Sequence, residues 1–124
     1  DELSSLIAQA QSEIIIQAQY LEDPILIDQL IEKITWWITL RIIVWKYQDT
    51  ILPEPLKEKV RTMSDPNVHA KAILIDWSKL YLGSMNLSTN AVEKNREIGI
   101  VTSDKFVIRQ FISQFDQDRQ SISP

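Results

Sequence analysis

Residues 68–101 read VHAKAILIDWSKLYLGSMNLSTNAVEKNREIGIV and decide the fold. The stretch opens on an apolar, β-rich run at 68–75. A short turn around Asp76-Trp77-Ser78 follows, then a second apolar run at 79–82. A third begins at Glu97 and continues to Val101. Runs of this length, bounded by turn residues, predict three strands. The segment between the last two, 88–94, reads as a short helix. On a strand, residues two apart share a face. His69 and Lys71 therefore point one way, and Ala70 and Ala72 point the other, toward covering helices. Ser84 and Asn86 share a face, and Gly83 removes a side chain just before them. With the three segments side by side, an imidazole, an ammonium, a hydroxyl, an amide and the Glu97 carboxylate converge at one end of a sheet.

Working outward, the upstream half supplies further elements. Apolar positions Leu3, Leu6, Ile7 and Ala10 predict a helix over 3–11, and EIIIQAQY predicts a strand over 13–20. Asp23-Pro24 starts a helix, with Asp as N-cap and Pro at the first helical position. It runs to about residue 35, with Ile25, Leu26, Leu30, Ile31 and Ile34 on one face. WITLRIIVW predicts a strand over 37–45. Pro53 and Pro55 mark the loop 48–55, and 56–60 forms one helical turn. Downstream, Phe106, Val107, Ile108, Phe111, Ile112 and Phe115 give an amphipathic helix over 104–119. Strands apolar on both faces, interleaved with helices, predict an α/β fold. Its mixed sheet has five or six strands and helices on both faces.

Composition narrows the function. The 124 residues form one domain by size, 1–124, and 44% apolar with 24% charged residues is a globular balance. Thirteen basic against seventeen acidic residues leave a net charge of −4, which argues against holding nucleic acid by bulk positive charge. The charge is uneven. Residues 67–101 carry four basic and three acidic groups, while 1–66 carry six and eleven. The motif region alone is net positive, as suits an anionic substrate. There is no cysteine and one histidine, so neither a thiolate metal site nor a multi-His zinc site forms within one chain. No metal or other cofactor is expected. Compartment is left open. The chain begins at Asp1 rather than Met, which is expected of a processed form or an excerpt.

The converging groups suit a phosphodiester. Lys71, Asn86 and Ser84 bring charge and donors to non-bridging oxygens as phosphorus becomes five-coordinate. His69 can attack phosphorus. Glu97 can fix the imidazole tautomer, and Gly83 lets the backbone approach the phosphate. Each residue also has an ordinary reading. A lone His is usually structural, Asp76 alone is a turn residue, and Ser84 with Asn86 is a cap-and-turn pair. Asn90 and Asn95 read as capping residues. Trp36, Trp37 and Trp45 read as core or interface aromatics; Trp77 and Tyr81, which lie near the motif, read as core, with the lining of a substrate mouth as the alternative. Lys57, Lys59 and Arg61 read as a solvated face.

The spacing His69-x-Lys71, four residues, Asp76, six residues, Gly83-Ser84-x-Asn86 resembles the HKD motif of the phospholipase D superfamily. Asn95-Arg96-Glu97 resembles that family's N-x-E element. IIIQAQYLEDPILIDQLIEK and FISQFDQD resemble its upstream strand–helix and closing helix. The resemblance implies a phospholipase D-like fold and metal-independent phosphodiester hydrolysis through a phosphohistidine. In it His69 is the nucleophile (or, in the partner copy, the acid), Lys71 and Asn86 bind phosphate, Ser84 supports the site, Glu97 orients the histidine, and Asp76 pairs with a cation or backbone. It also implies two HKD motifs per site, the second from a homodimer mate or a missing half of the chain. The chain departs from the family at Thr35-Trp36-Trp37, where members place a Gly before the second strand. The expected substrate is a phospholipid-type diester. The alternatives are an HKD endonuclease on DNA or RNA, and a non-catalytic binding or dimerisation module.

Overall fold

The structure, a computed structural model, describes residues 2–45, 51–64, 71–83 and 99–122. Six strands form one mixed sheet in the order β3-β2-β1-β4-β5-β6. They are β1 (Glu13–Gln17), β2 (Thr39–Trp45), β3 (Val60–Met63), β4 (Lys71–Ile75), β5 (Lys79–Gly83) and β6 (Gly99–Thr102). β1 pairs parallel with β2, and β2 with β3, whereas β4 pairs antiparallel with both β1 and β5, and β5 with β6. Helix α1 (Glu2–Gln9) precedes the sheet, α2 (Pro24–Thr35) links β1 to β2, and α3 (Lys105–Ser121) follows β6.

The central strands are apolar on both faces because both faces are covered. β4 is buried at every position. Ile14, Ile16, Leu40, Ile42, Ile73 and Ile75 pack with Leu3, Leu6, Ile7, Leu26, Ile27 and Leu30 of α1 and α2. Ile15, Ile43, Ala72, Leu74 and Leu80 pack on the other face with Ile108, Ile112 and Phe115 of α3. Period-2 alternation on β1 sends Ile14 and Ile16 to one layer and Ile15 to the other, as an α/β sandwich requires. No described helix is long and apolar enough to cross a membrane.

Several boundaries differ from expectation. Asp23 caps α2 as predicted, its side chain accepting from the Ile25 amide at 3.0 Å. The buried stripe of α2, however, is Leu26, Ile27 and Leu30, and Ile25 faces solvent. β1 ends at Gln17, short of residue 20. β2 starts at Thr39, because Trp37 adopts a left-handed backbone (φ 65°) that ends the preceding turn. Trp36 and Trp37 are 71% and 92% exposed, so they are not core residues. The helical turn at Leu56–Lys59 is 3-10, and the following β3 was not predicted. Arg61 lies on that strand and donates to the Arg119 carbonyl at 3.2 Å; it is half-buried rather than part of a solvated face. The predicted helix at 88–94 lies outside the described residues.

Candidate active site

Lys71 opens β4, and its neighbours across the sheet are fixed by register. Gly83 of β5 stands opposite Lys71, and Gly99 of β6 stands opposite Gly83. The chain has two glycines in all, and both occupy this row. Next to it, Gln17 of β1 pairs with Ala72. The row therefore lies at the carboxyl ends of the parallel strands β1 and β2, where α/β sheets commonly bind ligands.

The Lys71 side chain points into the layer shared with α1 and α2, since it lies two residues from Ile73 on the same face. It is 1% exposed. Its Nζ lies 5.6 Å from the centroid of the Tyr81 ring, which is also buried. Burial lowers the Lys71 pKa to about 7, while the negative charge of Asp23 acts in the opposite direction. An anion beside this group would favour its charged form, offsetting the hydration that burial removes. Burial raises the pKa of the Tyr81 phenol, with the charge of Glu2 adding to the shift.

On the α3 face of the same end, Gln17 Nε2 donates to Asp118 Oδ2 at 2.9 Å and contacts Met63 Sδ at 3.8 Å. Asp118 also accepts from Gln114 at 3.0 Å. Gln17 thus ties the end of β1 to the last turns of α3.

Asp76 belongs to the other end of the sheet, about 16 Å from Lys71 by strand rise. Its carboxylate accepts from the backbone amides of Gln11, Ser12 and Glu13 at 2.9, 2.8 and 2.9 Å, and from the Ser12 hydroxyl at 2.8 Å. Its own amide donates to the Glu13 carbonyl at 2.8 Å. Burial raises its pKa, but the amides of Glu13, Gln11 and Ser12 and the Ser12 hydroxyl outweigh that and lower it. The resemblance implies that Asp76 pairs with a cation or backbone, and here its carboxylate pairs with backbone amides. Its acceptor capacity is committed to the α1–β1 connection, and it acts as a structural tie. Trp77 beside it donates from Nε1 to Glu13 Oε1 at 2.6 Å, and Glu13 Oε2 accepts from Arg41 Nε at 2.7 Å.

Of the other expected site residues, Gly83 sits on the Lys71 row. His69, Ser84, Asn86 and Glu97 lie outside the described residues, as do Asn90 and Asn95. Among the described residues no group of three His, Cys, Asp or Glu side chains comes together to hold a metal. One neighbour of the site, Asp23, reads in the sequence as a cap and nothing more. Tyr81 reads as core, with the lining of a substrate mouth as its alternative. The signal for Tyr81 was present in the pair of glycines, whose shared row appears only once the register is known.

Comparison with known proteins places these features. The model of the family described as "Cardiolipin synthase, PLD-like domain" matches residues 3–119. A human protein named mitochondrial cardiolipin hydrolase is 33% identical over 67 residues, which is 53% of this chain and 27% of that protein. The matched stretch therefore spans about a quarter of that relative. Among solved structures, Nuc from Salmonella typhimurium, a phospholipase D family member, superposes with a TM-score of 0.82 at 19% identity. The match covers 98% of this chain and 87% of Nuc. NucT from Helicobacter pylori gives the same TM-score and the same coverage at 21% identity. At these identities the likeness is one of fold. With the family model matching nearly its whole length, the chain belongs to the phospholipase D-like family that this model describes.

Proposed function

We propose that the chain hydrolyses phosphodiesters through a phosphohistidine intermediate, without a metal. A His69 nitrogen attacks phosphorus, and the bond from phosphorus to the leaving oxygen breaks. That oxygen takes its proton from a second histidine, supplied by a second copy of the chain or by sequence beyond this segment. Water then attacks the phosphohistidine, gives a proton to that histidine and releases His69. Lys71 and Asn86, supported by Ser84 and the backbone at Gly83, carry the charge that a Lewis acid would otherwise neutralise. Glu97 holds the imidazole in the attacking tautomer.

One observation carries this reading. The strand ends that lead into residues 65–70 and 84–98 form a single row, Lys71–Gly83–Gly99, and the lysine on it is buried. Chain segments carrying the motif thus enter the sheet side by side. The substrate we favour is a phospholipid-type diester. The description of the matching family and the name of the human relative support that choice. The fold shared with Nuc and NucT supports a second reading, a nucleic acid diester.

The experiment is hydrolysis of bis(p-nitrophenyl) phosphate in excess EDTA by the wild type and by His69→Asn. Activity is expected to survive the chelator and to fall at least about a thousandfold in the variant, as for loss of a nucleophile. Loss with EDTA, or persistence in His69→Asn, contradicts the mechanism. A wild type inactive on this diester and on the two substrates below favours the non-catalytic module. Cardiolipin-containing liposomes and single-stranded DNA, given to the same preparation, separate the two substrate classes. Cleavage of DNA alone, falling steeply with salt, selects the nuclease.

A further inference from the structure

Tyr81 lies on β5 directly opposite Ile73 of β4 and Val101 of β6. It shares a sheet face with Ile73 and hence with Lys71. Its side chain does not stand over its own row. A Cβ built on Gly99 would run into the Tyr81 hydroxyl and ring, so the ring leans two residues along the strands, across Gly99. It can do so because Gly99, opposite Gly83 on the Lys71 row, has no side chain there. The sole side chain among the described residues of that row is Lys71, whose Nζ lies 5.6 Å from the ring centroid. A cation at this distance from an aromatic face is attracted by the ring quadrupole, more strongly when both are removed from water. Tyr81 and Lys71 are both under 4% exposed. The charges that act on the pair are Asp23 on Lys71 and Glu2 on Tyr81.

We infer that Tyr81 is a positioning residue for Lys71, its ring seated in the space left by Gly99 and holding the ammonium at the phosphate-binding end of the sheet. The inference rests on the phosphodiesterase reading for its purpose but not for its geometry. Gly99 is then needed to give the aromatic ring its seat.

The test follows the Lys71 Nζ pKa by NMR of the lysine-labelled full chain, with Lys71→Arg for assignment, alongside KM and kcat for bis(p-nitrophenyl) phosphate. Tyr81→Phe keeps the ring face and is expected to keep the pKa and KM. Tyr81→Leu keeps an apolar filling but removes the face. It is expected to lower the pKa by about half a unit to one unit and to raise KM about threefold to tenfold, with kcat less affected. Tyr81→Met is the second variant with the same expectation, should leucine not fold. A pKa that stays or rises in a folded Leu or Met variant overturns the inference, since the ring would then be filler or a water shield. A pKa that falls as expected, in a protein that cleaves no phosphodiester, supports the placement of Lys71 and counts against the proposed function instead.

Discussion

Lys71 keeps its ammonium beneath the surface, and burial costs the folded state whenever that ammonium is charged. Its folded pKa, about 7, is below the unfolded value of about 10.4. Below about pH 7 the residue is charged in both states and the full penalty applies. Between about 7 and 10.4 the unfolded chain binds more protons, so stability rises with pH until the penalty vanishes. Lys71→Met is therefore expected to stabilise the fold by roughly 1–3 kcal/mol near pH 6. The gain should shrink toward pH 10, while phosphodiester hydrolysis is lost. Thermal melts of both proteins from pH 6 to 10 provide the check, and a variant less stable than wild type at pH 6 would refute this. Asp76 is the contrasting residue. Its charge is stabilised by three amides and a hydroxyl, and it supports the fold rather than the chemistry.

Among the elements, two turns hold non-glycine residues in the left-handed region, the β4–β5 turn at Asp76 and Trp77 (φ 52° and 59°) and the turn between α2 and β2. Trp36 ends α2, and Trp37 then adopts φ 65° with its indole in solvent. A residue with a Cβ in this region costs about 1 kcal/mol relative to glycine. Trp37→Gly is expected to raise stability by about 0.5–1 kcal/mol in urea unfolding, because the exposed indole contributes little packing. A decrease would show that the ring makes a contact worth more than the strain. The same turn shows what could be read from sequence. The missing glycine before the second strand was visible, but the answer was not, since nothing local to Thr35-Trp36-Trp37 says that a tryptophan will take the left-handed place. Elements with a strong period or a cap were legible: Asp23-Pro24 gave the start of α2, and the phenylalanine spacing gave α3. β3 was hidden because VRTM has no apolar run, and it exists through pairing with β2. Of the expected site residues, the structure describes Lys71, Asp76 and Gly83, and it sets Lys71 and Gly83 on one row. The position of Tyr81 over Gly99 was not legible, because it depends on register between strands far apart in sequence.

Taken whole, the sheet is divided by strand direction. The parallel half, β1 to β3, brings its carboxyl ends to the edge at which the antiparallel half, β4 to β6, carries the Lys71 row. The proposed chemistry needs two histidines, and the chain has one. If a second copy supplies the other, specific activity is expected to fall as the protein is diluted through the dimer dissociation range. Inactive His69→Asn chains mixed in should poison the wild type. Constant specific activity across a thousandfold dilution, in a protein that sediments as a monomer, would exclude that source. The exposed Trp36–Trp37 turn lies at the opposite end of the sheet, because Thr39 pairs with Glu13 while Gln17 pairs with Ala72. Four steps of β1 therefore separate it from the Lys71 end, on the order of 13 Å. In a chain without cysteine, a Trp37→Cys change would thus give one unique attachment point for a dye, a spin label or a sensor surface. A molecule tethered there would keep its Lys71 end turned away from the attachment surface.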